Sequence, residues 1–403
     1  MSPILKSELL VMIARGEGAT LEFKDDRIHP KDLSKSIVAF ANMNGGRILL
    51  GVADSGEIVG IPRENLQEWL MDTVIGSHVH PFILPEYEEI ELDGKRVAVV
   101  TVPRGPAKPY VRRHNKREDI YVRYGATNQI AGREQAARLF GAGGLLESEK
   151  FPINGTSVED LDKRRYSEFF QNILQEPQRE NWRQMLVDWG FLVGDGEAYC
   201  CSYFAHALFA KQPGIKFPFA SVRVTVYAGS DKDYGTVHDA SLDAPIVEYR
   251  GEDASRLVEP ALHDRIIERI QPHISEEKLV GTTRKRILHY PLEVIREVLI
   301  NALVHRDWTR NNHVRIVVYG DRMEVTSPGG LPNGMTIEKI KNGVQSVRNP
   351  NCARVMRGYG YLEDQGMGIR RKVIPLMEKE NGTTPEFSST EDSFTVILRK
   401  AGE

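Results

Sequence analysis

Glu17-Gly18-Ala19-Thr20-Leu21-Glu22-Phe23-Lys24 begins the stretch that decides the fold, which continues through Ala39-Phe40-Ala41-Asn42 and Gly45-Gly46-Arg47-Ile48-Leu49-Leu50-Gly51-Val52-Ala53-Asp54. Apolar and polar residues alternate at its start, which predicts a half-buried strand. Apolar residues at helical spacing then follow Pro30 and end at the glycine pair, which predicts a helix. The continuous apolar run after the glycines is typical of a buried strand. The stretch therefore predicts a strand–helix–strand unit and an α/β fold.

The same stretch places three carboxylates and a lysine around this unit. Glu22 and Lys24 are two residues apart on a strand, so their side chains point to one face. Glu17 lies on the approach to that strand, and Asp54 lies just past the end of the next one. Clustered carboxylates are the usual ligands of Mg²⁺ or Mn²⁺, and a nearby lysine can steady a hydroxide or a phosphate. The alternative is a set of solvated carboxylates at strand ends, and spacing alone favours it.

Length, composition and cysteine content bound the class of protein. At 403 residues the chain is expected to form two or three domains, and its 27% charged and 41% apolar residues are ordinary for a globular protein. The net charge of −3 neither favours nor excludes nucleic acid, because a local patch is what matters. Three cysteines without a CxxC motif argue against a disulfide scaffold or a structural zinc site. The apolar run at 9–14 is too short to span a bilayer, so we expect a cytoplasmic protein without membrane contact.

Glycine-rich and turn-forming segments divide the chain into three expected domains. Residues 1–140 are predicted to form an α/β unit that ends at the glycines of 141–144. Residues 153–285 form a mixed region whose helix–helix–turn order fits either a small winged-helix-like module or a linker domain that only packs, and we favour the linker. Residues 286–403 are expected to form a last α/β unit of helix, hairpin, glycine-rich loop, helix and closing strand.

A long basic loop, Pro103–Arg117, is predicted between strands at Val97–Val102 and Ile120–Tyr124. Phosphate contacts supply most nucleic-acid affinity and need only a local cluster of cations, while an aromatic such as Tyr110 can stack on a base. The alternative is a solvated loop that keeps an edge strand from aggregating. We favour phosphate binding, by shape rather than by base sequence, because the loop belongs to the domain with the carboxylates. The predicted nucleic-acid-binding residues are Arg104, Lys108, Arg112, Arg113, Lys116, Arg117 and Arg123.

A specific set of motifs runs over residues 14–130: Glu17 to Lys24, Ala39-Phe40-Ala41-Asn42, Gly45-Gly46, Gly51-Val52 with Asp54 and Gly56, and Tyr121-Val122-Arg123 with Gly125. Together they resemble the AlbA-like core domain of the Schlafen family. That family includes endoribonucleases that cleave tRNA and rRNA with an acidic triad. The resemblance implies that Glu17, Glu22 and Asp54 bind the cation and that Lys24 assists catalysis. Other members of the fold only bind DNA or RNA, and many bacterial relatives are described as regulators.

The C-terminal part carries a second polar pattern. Glu297, Asn301 and His305 recur every four residues on a predicted helix, beside an apolar stripe. Two glycine-rich turns follow, at Ser327–Pro332 and Gly366–Ile369. Glycines let backbone N–H groups approach a phosphate, and the start of a following helix favours the anion. This order predicts a nucleotide site.

The series Arg296-Glu297, Asn301-Ala302, His305-Arg306-Asp307, Pro328-Gly329-Gly330, Arg348-Asn349-Pro350 and Gly366-x-Gly368 resembles the divergent GHKL-type ATPase domain, an α/β sandwich found behind bacterial Schlafen-like cores. The resemblance implies that Glu297 activates the attacking water and Asn301 holds Mg²⁺, and that Gly366 and Gly368 face the phosphates of ATP. The implied nucleotide-binding set also contains His305, Asp307, Gly329 and Gly330. Ser327 departs from the family, which has there an Asp that reads the adenine amino group. The alternative is a degenerate fold that serves as an oligomerisation or docking platform.

These observations lead to an expected function. The chain is expected to be a metal-dependent endoribonuclease for structured RNA, with tRNA favoured by the resemblance, and to be regulated by nucleotide binding at its C-terminal domain. The alternative is an ATP-binding, DNA- or RNA-binding transcriptional regulator without cleavage. A third interpretation leaves the function to the nucleotide domain and lets the N-terminal domain only dimerise. Relatives imply a homodimer, and bacterial defence would be a natural role for such a nuclease.

Overall fold

The computed structural model describes residues 4–175, 182–195, 198–232, 235–251, 256–280, 283–332, 335–363 and 367–401. The chain divides into two structural units, Met1–Leu146 and Glu147–Glu403. Both contain helices and β-sheets, which confirms the predicted α/β class. No helix in these described ranges is long and apolar enough to cross a membrane.

The first unit mixes short helices with short strands. Its helices are α1 (Lys6–Arg15), α2 (Pro30–Asn42), α3 (Leu66–Glu68) and α4 (Arg133–Ala142), and a π-helical segment, Trp69–Gly76, follows α3. Its strands are β1 (Leu21–Lys24), β2 (Gly46–Leu50), β3 (Val79–His80), β4 (Glu86–Leu92), β5 (Lys95–Val102), β6 (Val111–His114), β7 (Arg117–Asp119), β8 (Tyr121–Tyr124) and β9 (Thr127–Ile130).

The central sheet of the first unit has the strand order β1-β2-β5-β4. β1 and β2 run parallel, with Leu21 opposite Arg47, and the other neighbours are antiparallel. A parallel pair needs a crossover connection, and α2 provides it by packing Leu33, Ile37 and Phe40 into the core. The predicted strand–helix–strand unit is therefore confirmed. Since β1 and β2 run in one direction, their carboxyl ends lie at the same edge of the sheet.

Part of the predicted basic loop is a β-hairpin. β6 and β7 pair with Arg112 opposite Asp119 and Arg113 opposite Glu118. Asn115 and Lys116 form the turn with positive φ angles of 48° and 62°. The expectation of a loop from Pro103 to Arg117 is therefore wrong from residue 111 onward. The segment has almost no apolar alternation, so its pairing depends on cross-strand charges that a single-strand pattern does not reveal.

The second unit is larger. Its α-helices are α5 (Lys163–Glu168), α6 (Trp182–Asp188), α7 (Tyr203–Phe209), α8 (Leu262–Ile270), α9 (Leu292–Val304), α10 (Ile337–Lys341), α11 (Pro350–Gly358) and α12 (Ile374–Leu376). Its strands are β10 (Leu192–Asp195), β11 (Ala198–Cys201), β12 (Val222–Tyr227), β13 (Thr236–Leu242), β14 (Ser275–Val280), β15 (Thr283–Leu288), β16 (Val314–Val318), β17 (Arg322–Pro328), β18 (Glu386–Ser389) and β19 (Ser393–Arg399). Short 3₁₀ segments are Ser148–Lys150, Val158–Asp160, Pro213–Ile215, Pro218–Ala220 and Gln271–His273, and π-helical segments are Phe169–Ile173, Ile369–Val373 and Met377–Asn381.

One six-stranded sheet organises the second unit, with the order β13-β12-β16-β17-β19-β18. β12 and β13 come from the expected middle domain, and the other four strands come from the expected C-terminal domain. β12 buries Val222, Val224 and Val226 and pairs with β16 in parallel. The expected boundary near residue 285 therefore does not separate two structural units. α9, which carries Glu297 and Asn301 of the predicted nucleotide site, packs against β17 and against the π-helical segment Ile369–Val373.

The start of the middle region has the expected order of elements. α5 and α6 precede the hairpin β10–β11, in which Leu192 lies opposite Cys201. The predicted turn at Gly194-Asp195-Gly196 is partly seen, because Gly194 and Asp195 end β10 whereas Gly196 lies outside the described residues.

Candidate functional site

Lys24 lies at the centre of the predicted acidic cluster. Its Nζ is 3.7 Å from Glu17 Oε1, 2.9 Å from Glu22 Oε1 and 3.8 Å from Asp54 Oδ1. The structure thus brings the four predicted catalytic residues together, at the edge where β1 and β2 end. We call Glu17, Glu22, Lys24 and Asp54 the Lys24 cluster. Arg123 adds a second cation, so three carboxylates face two positive charges.

Glu22 is the buried and rigidly held member of the cluster, with only 4% of its surface exposed. Ser36 Oγ, on α2, donates a hydrogen bond to Oε1 at 3.1 Å, and Arg123 pairs with Oε2. Asn128, on β9, donates to Ser36 Oγ at 3.0 Å and accepts from Arg123 at 2.9 Å. The carboxylate is therefore oriented from α2, β8 and β9. Sequence reasoning missed Ser36 and Asn128, and no pattern in the sequence distinguishes them from other short polar residues.

Arg123 is bound to groups of the protein on all sides of its guanidinium. Its Nε and NH2 donate to the carbonyl of Gly18 at 2.9 and 2.7 Å, and NH2 also donates to the carbonyl of Leu21 at 3.1 Å. NH1 pairs with Glu22 and Asn128, and the guanidinium lies 4.8 Å from the centre of the Phe40 ring. These bonds use all the donors of a guanidinium. The nucleic-acid contact predicted for Arg123 stays a prediction, and it would require some of these bonds to break.

Glu17 and Asp54 differ from Glu22 in their exposure. Glu17 Oε1 accepts a hydrogen bond from Phe23 N at 2.8 Å, which ties the approach segment to β1. Asp54 lies in a turn after β2, and 82% of its side chain is exposed. The turn begins at Gly51, whose φ of 90° favours glycine and whose N–H donates to the carbonyl of Lys24 at 2.8 Å. Asp54 is therefore the member of the cluster that solvent and a ligand reach most easily.

The donor atoms of the Lys24 cluster fit a hard divalent cation in kind, because carboxylate oxygens are the ligands that Mg²⁺ and Mn²⁺ prefer. Within the described ranges, however, no three His, Cys, Asp or Glu side chains are arranged to hold a metal ion. The point on which the three carboxylates converge is taken by Lys24 Nζ. A cation shared by Glu17, Glu22 and Asp54 stays a prediction, and it requires Lys24 to turn away.

The predicted nucleic-acid-binding residues divide into buried and exposed groups. Lys108 is buried, and its Nζ donates to the carbonyls of Asn42 and Met43 at the end of α2. Lys108 stabilises the helix terminus, and its predicted phosphate contact stays a prediction that requires it to leave these carbonyls. Tyr110 is also buried, with its backbone held on both sides by the Asn42 side chain, so it does not offer a ring for base stacking. Arg104 is half-buried.

The other predicted cations lie on the hairpin β6–β7, and all of them except the half-buried Arg112 are exposed. Arg112 pairs with Asp119 and Arg113 pairs with Glu118, each at 2.6 Å. Lys116 and Arg117 lie at the hairpin turn, and both are exposed. These two are the predicted residues best placed to contact a phosphate backbone, because the carboxylates on β7 already neutralise the arginines on β6.

A cavity in the second unit collects most of the predicted nucleotide-binding residues. It encloses about 150 Å³ and opens beside α9. The predicted residues that line it are Glu297, Asn301, His305, Gly329, Gly330 and Gly368. Ser327, which replaces the Asp of the GHKL pattern, lines it as well. Arg348 and Arg357 line it as well, and no pattern in the sequence predicts a role for either of them. Gly366 lies outside the described residues.

Glu297 and Asn301 form one end of this cavity. Asn301 Nδ2 donates to Glu297 Oε1 and to the Glu297 carbonyl, both at 2.8 Å. Burial raises the pKa of Glu297, and the bond from Asn301 opposes part of the rise. A Cβ at Gly368 would overlap the Glu297 carboxylate, so Gly368 permits the close approach of the π-helical segment to α9. Gly368 therefore contacts Glu297, and its predicted contact with phosphates, like the Mg²⁺ predicted at Asn301, stays a prediction.

The other end of the cavity carries positive charge. His305 lies near Arg348 and Arg357, and burial together with these two charges lowers the pKa of His305 to about 4. The imidazole is therefore neutral at pH 7. Gly329 adopts a φ of 92° and approaches Asp307 and Arg348 closely.

Asp307 has a structural role. Arg348 NH1 lies 2.9 Å from its Oδ2, and Thr309 donates to its Oδ1 from both N and Oγ1. Burial works to raise the pKa of Asp307, but these partners and Arg310 outweigh it and lower the pKa below its usual value. Asp307 is not among the residues that line the cavity in the described part of the chain. The predicted contact of Asp307 with the nucleotide stays a prediction.

Two families match parts of the chain. Residues 17–132 match the family model described as "Schlafen, AlbA_2". Residues 311–398 match the one described as "Putative ATP-dependent DNA helicase recG C-terminal". Both resemblances drawn from the sequence are thereby confirmed: an N-terminal Schlafen-type domain and a C-terminal domain of ATPase type. The second match begins after α9, so it does not include Glu297, Asn301 or His305.

Two solved structures resemble this chain at low identity. The DIP2311 protein from Corynebacterium diphtheriae is 17% identical, with a TM-score of 0.45, over 98% of this chain and 80% of that one. The N-terminal domain of a RecG-related protein from Nitrosomonas europaea is 26% identical, with a TM-score of 0.25, over 31% of this chain and 89% of that one. No curated protein matches the chain.

Proposed function

We propose that the protein is an endoribonuclease whose active site is the Lys24 cluster and whose C-terminal cavity binds a regulatory nucleotide. The matches to a Schlafen domain and to a RecG-type C-terminal domain support a function connected with nucleic acid. The observation that carries the proposal is the convergence of Glu17, Glu22 and Asp54 on Lys24 Nζ, within 3.8 Å. Three carboxylates gathered at the open edge of a sheet are costly in mutual repulsion, and a catalytic site is a reason to keep them.

Each member of the cluster has a role in the proposed cleavage. Glu17, Glu22 and Asp54 supply oxygen ligands for Mg²⁺ or Mn²⁺, and a bound ion would lower the pKa of a water and neutralise charge on the phosphate. Lys24 leaves the carboxylates and donates to a phosphate oxygen of the substrate, which stabilises charge that develops there. Arg123 acts through Glu22 as a positioning residue, because it fixes that carboxylate against β1.

The substrate is RNA with a defined shape, and tRNA is the member of that class that the Schlafen resemblance favours. The exposed cations Lys116 and Arg117 would contact its phosphates from the turn of the hairpin β6–β7. Contacts of this kind position a duplex without reading its bases. Recognition by shape therefore fits the surface better than recognition by sequence.

The test is a cleavage assay on the full chain. Total tRNA is incubated with the protein and Mn²⁺ or Mg²⁺, with and without ATP or GTP, and in parallel with a chelator. We expect discrete fragments on a denaturing gel, loss of these fragments with the chelator, and a change of rate with a nucleotide. Intact tRNA under all conditions would contradict the proposed nuclease. If a retarded band on a native gel accompanies it, the protein binds RNA without cleaving it, which is the second candidate function.

The second candidate is a nucleic-acid-binding regulator that does not cleave. One observation favours it: Lys24 and Arg123 already pair with the carboxylates, and in the described part of the chain no metal-holding group is formed. In this case the Lys24 cluster is a structural ion-pair network that fixes α2 and β8 against β1.

Charge reversal at the hairpin turn is expected to weaken RNA binding in either case. The double variant Lys116→Glu/Arg117→Glu removes two phosphate contacts, so tRNA affinity should fall at least about tenfold and the slope of log Kd against log salt should decrease by about 1.5 to 2. Fluorescence anisotropy at several salt concentrations measures both. Lys6→Glu/Arg133→Glu is the matched control, because it reverses two exposed cations on α1 and α4. Equal effects of the two variants would mean that net charge alone attracts the RNA, and no effect of either would remove the hairpin from the binding surface.

A further inference from the structure

We propose that Arg357 makes the cavity of the second unit select a guanine base over adenine, an inference that rests on the proposed nucleotide binding there. Arg357 lies on α11. The charges of the cavity wall place the base of the nucleotide at the end of the cavity where Arg357 lies.

The acidic groups of the cavity lie together at one end. Glu363 is close enough to Glu297 for its charge to raise the Glu297 pKa. Each has a protein partner, because Asn301 donates to Glu297 at 2.8 Å and Lys372 pairs with Glu363 at 2.7 Å. The proposed Mg²⁺ and phosphates belong at this end, where Asn301 and the carboxylates offer oxygen ligands.

The basic groups surround His305 at the other end. His305 directly follows the last residue of α9 and lies about two helical turns beyond Glu297, a distance of about 12 Å along the helix axis. Arg348 and Arg357 both lie close to its imidazole. If the phosphates occupy the Glu297 end, the base of the same nucleotide reaches the His305 end.

Arg357 and Arg348 differ in the partners of their terminal nitrogens. Arg348 is engaged, since NH1 lies 2.9 Å from Asp307 and NH2 donates to the carbonyl of Gly330. The Nε atoms of both arginines are buried without a hydrogen-bond partner, but in the described ranges Arg357 has no carboxylate paired with its guanidinium either. A buried donor without a partner is costly, so a ligand that brings an acceptor gains that energy on binding.

The neighbouring groups do not supply the acidic acceptor that an amino group favours. Ser327 Oγ already donates to the carbonyl of Ala302 at 2.8 Å and is left with its acceptor lone pairs. His305 is neutral and offers one donor and one acceptor. The carboxylate of Asp307 is held by Arg348. The His305 end of the cavity therefore offers charged hydrogen-bond donors but no free charged acceptor among the groups named here.

Guanine and adenine differ at the edge that a guanidinium reads. Guanine presents O6 and N7, two acceptors side by side, whereas adenine presents N7 beside an amino donor. Arginine has donors only, so it can form a bidentate pair with guanine but not with adenine. The enclosed volume of about 150 Å³ suits one ring system, and Val325, Leu331 and Phe394 give it apolar walls. The cavity thus combines a slot for a flat ring with a guanidinium at its end.

Isothermal titration calorimetry of the full chain tests this inference. GTP, ATP, guanosine and adenosine are titrated, the nucleotides with Mg²⁺, into wild type and into Arg357→Met, Arg357→Lys and Arg354→Met. We expect wild type to bind GTP and guanosine at least about tenfold more tightly than ATP and adenosine, the discrimination typical of one bidentate base contact. Arg357→Met should lose this preference, because the affinities for GTP and guanosine fall while those for ATP and adenosine stay the same. Arg357→Lys should lose most of the preference, because an ammonium group cannot form the bidentate pair of a planar guanidinium.

Arg354→Met is the matched control. Arg354 is on the same helix, is exposed and lies 3.9 Å over the Trp189 ring, so its loss should leave the preference unchanged. The inference is overturned if wild type binds the two bases equally or prefers adenine. It is also overturned if Arg357→Met weakens GTP and ATP alike while guanosine is unaffected, since Arg357 would then hold phosphate. Absence of binding by all four ligands to wild type would overturn it together with the nucleotide part of the proposed function, and the tRNA assay would stand apart from that result.

Discussion

Replacing Asp54 by Asn is expected to reduce tRNA cleavage by at least about a hundredfold without weakening the fold. Asp54 is 82% exposed and touches the cluster only through Lys24, at 3.8 Å, so the substitution removes a charge from the proposed site at little cost in stability. Loss of one group that stabilises or activates the reacting atoms typically costs a factor of 10² to 10³. Single-turnover rates of tRNA cleavage measure the effect, and thermal melting verifies that the fold is retained.

The controls separate catalysis from general charge. Glu86→Gln removes an exposed carboxylate from β4 in the same unit and should cleave at the wild-type rate. Glu22→Gln should lose cleavage as Asp54→Asn does, but it also disturbs a buried ion pair and therefore serves as a supporting variant only. Cleavage by Asp54→Asn at the wild-type rate would show that Asp54 takes no part, and the acidic cluster would then be structural.

Arg123→Met is expected to destabilise the first unit by about 3 to 5 kcal/mol, the usual cost of breaking a buried ion pair from one side. The substitution leaves Glu22 charged and buried without Arg123, and it removes the two Arg123 donors from the carbonyl of Gly18 and one of the donors to the carbonyl of Leu21. Hydrogen exchange of the β1 amides as a function of urea measures the change, because it reports on this unit separately from the second one.

A double variant distinguishes this explanation from simple loss of packing. Arg123→Met/Glu22→Gln removes the buried charges together, so it should be more stable than Arg123→Met alone. If Arg123→Met is as stable as wild type and instead lowers tRNA affinity, Arg123 is a phosphate ligand after all, as its sequence position predicts.

The convergence at Lys24 follows largely from local sequence. Glu22 and Lys24 share a face because a strand repeats every two residues, and the crossover through α2 makes β1 and β2 parallel. Parallel strands end at one edge, which brings Asp54 beside Lys24. The sequence did not reveal that the lysine, rather than an open space, would lie among the carboxylates, because that depends on side-chain directions in the assembled sheet.

The basic residues show the opposite case. In the sequence Lys108, Lys116, Arg117 and Arg123 are equivalent cations near one predicted loop. In the structure Lys108 stabilises the end of α2, Arg123 holds Glu22, and the two residues at the hairpin turn are exposed. Composition predicts how much charge a segment carries, but the folded chain decides which cations face water.

The sequence predicts some residues of the cavity in the second unit but not others. Spacing by four residues placed Glu297, Asn301 and His305 on one face of α9, and all three line the cavity. Arg357 reaches the same cavity from α11, and no local pattern connects it with α9. Asp307 follows α9 closely in sequence, yet it turns to Arg348 and away from the cavity.

The sequence by itself determined the α/β class, the strand–helix–strand unit, the faces of β1 and α9 and the two family resemblances. Each of these depends on periodicity or on motifs within a few turns or strands of the chain. Only the tertiary structure decided which charged groups are partners, since the Arg123–Glu22 pair joins residues 101 positions apart. It also decided that β12 and β16 share a sheet across the expected domain boundary. Most buried polar groups need a partner, and residues far apart in the sequence supply such partners only when the chain is folded.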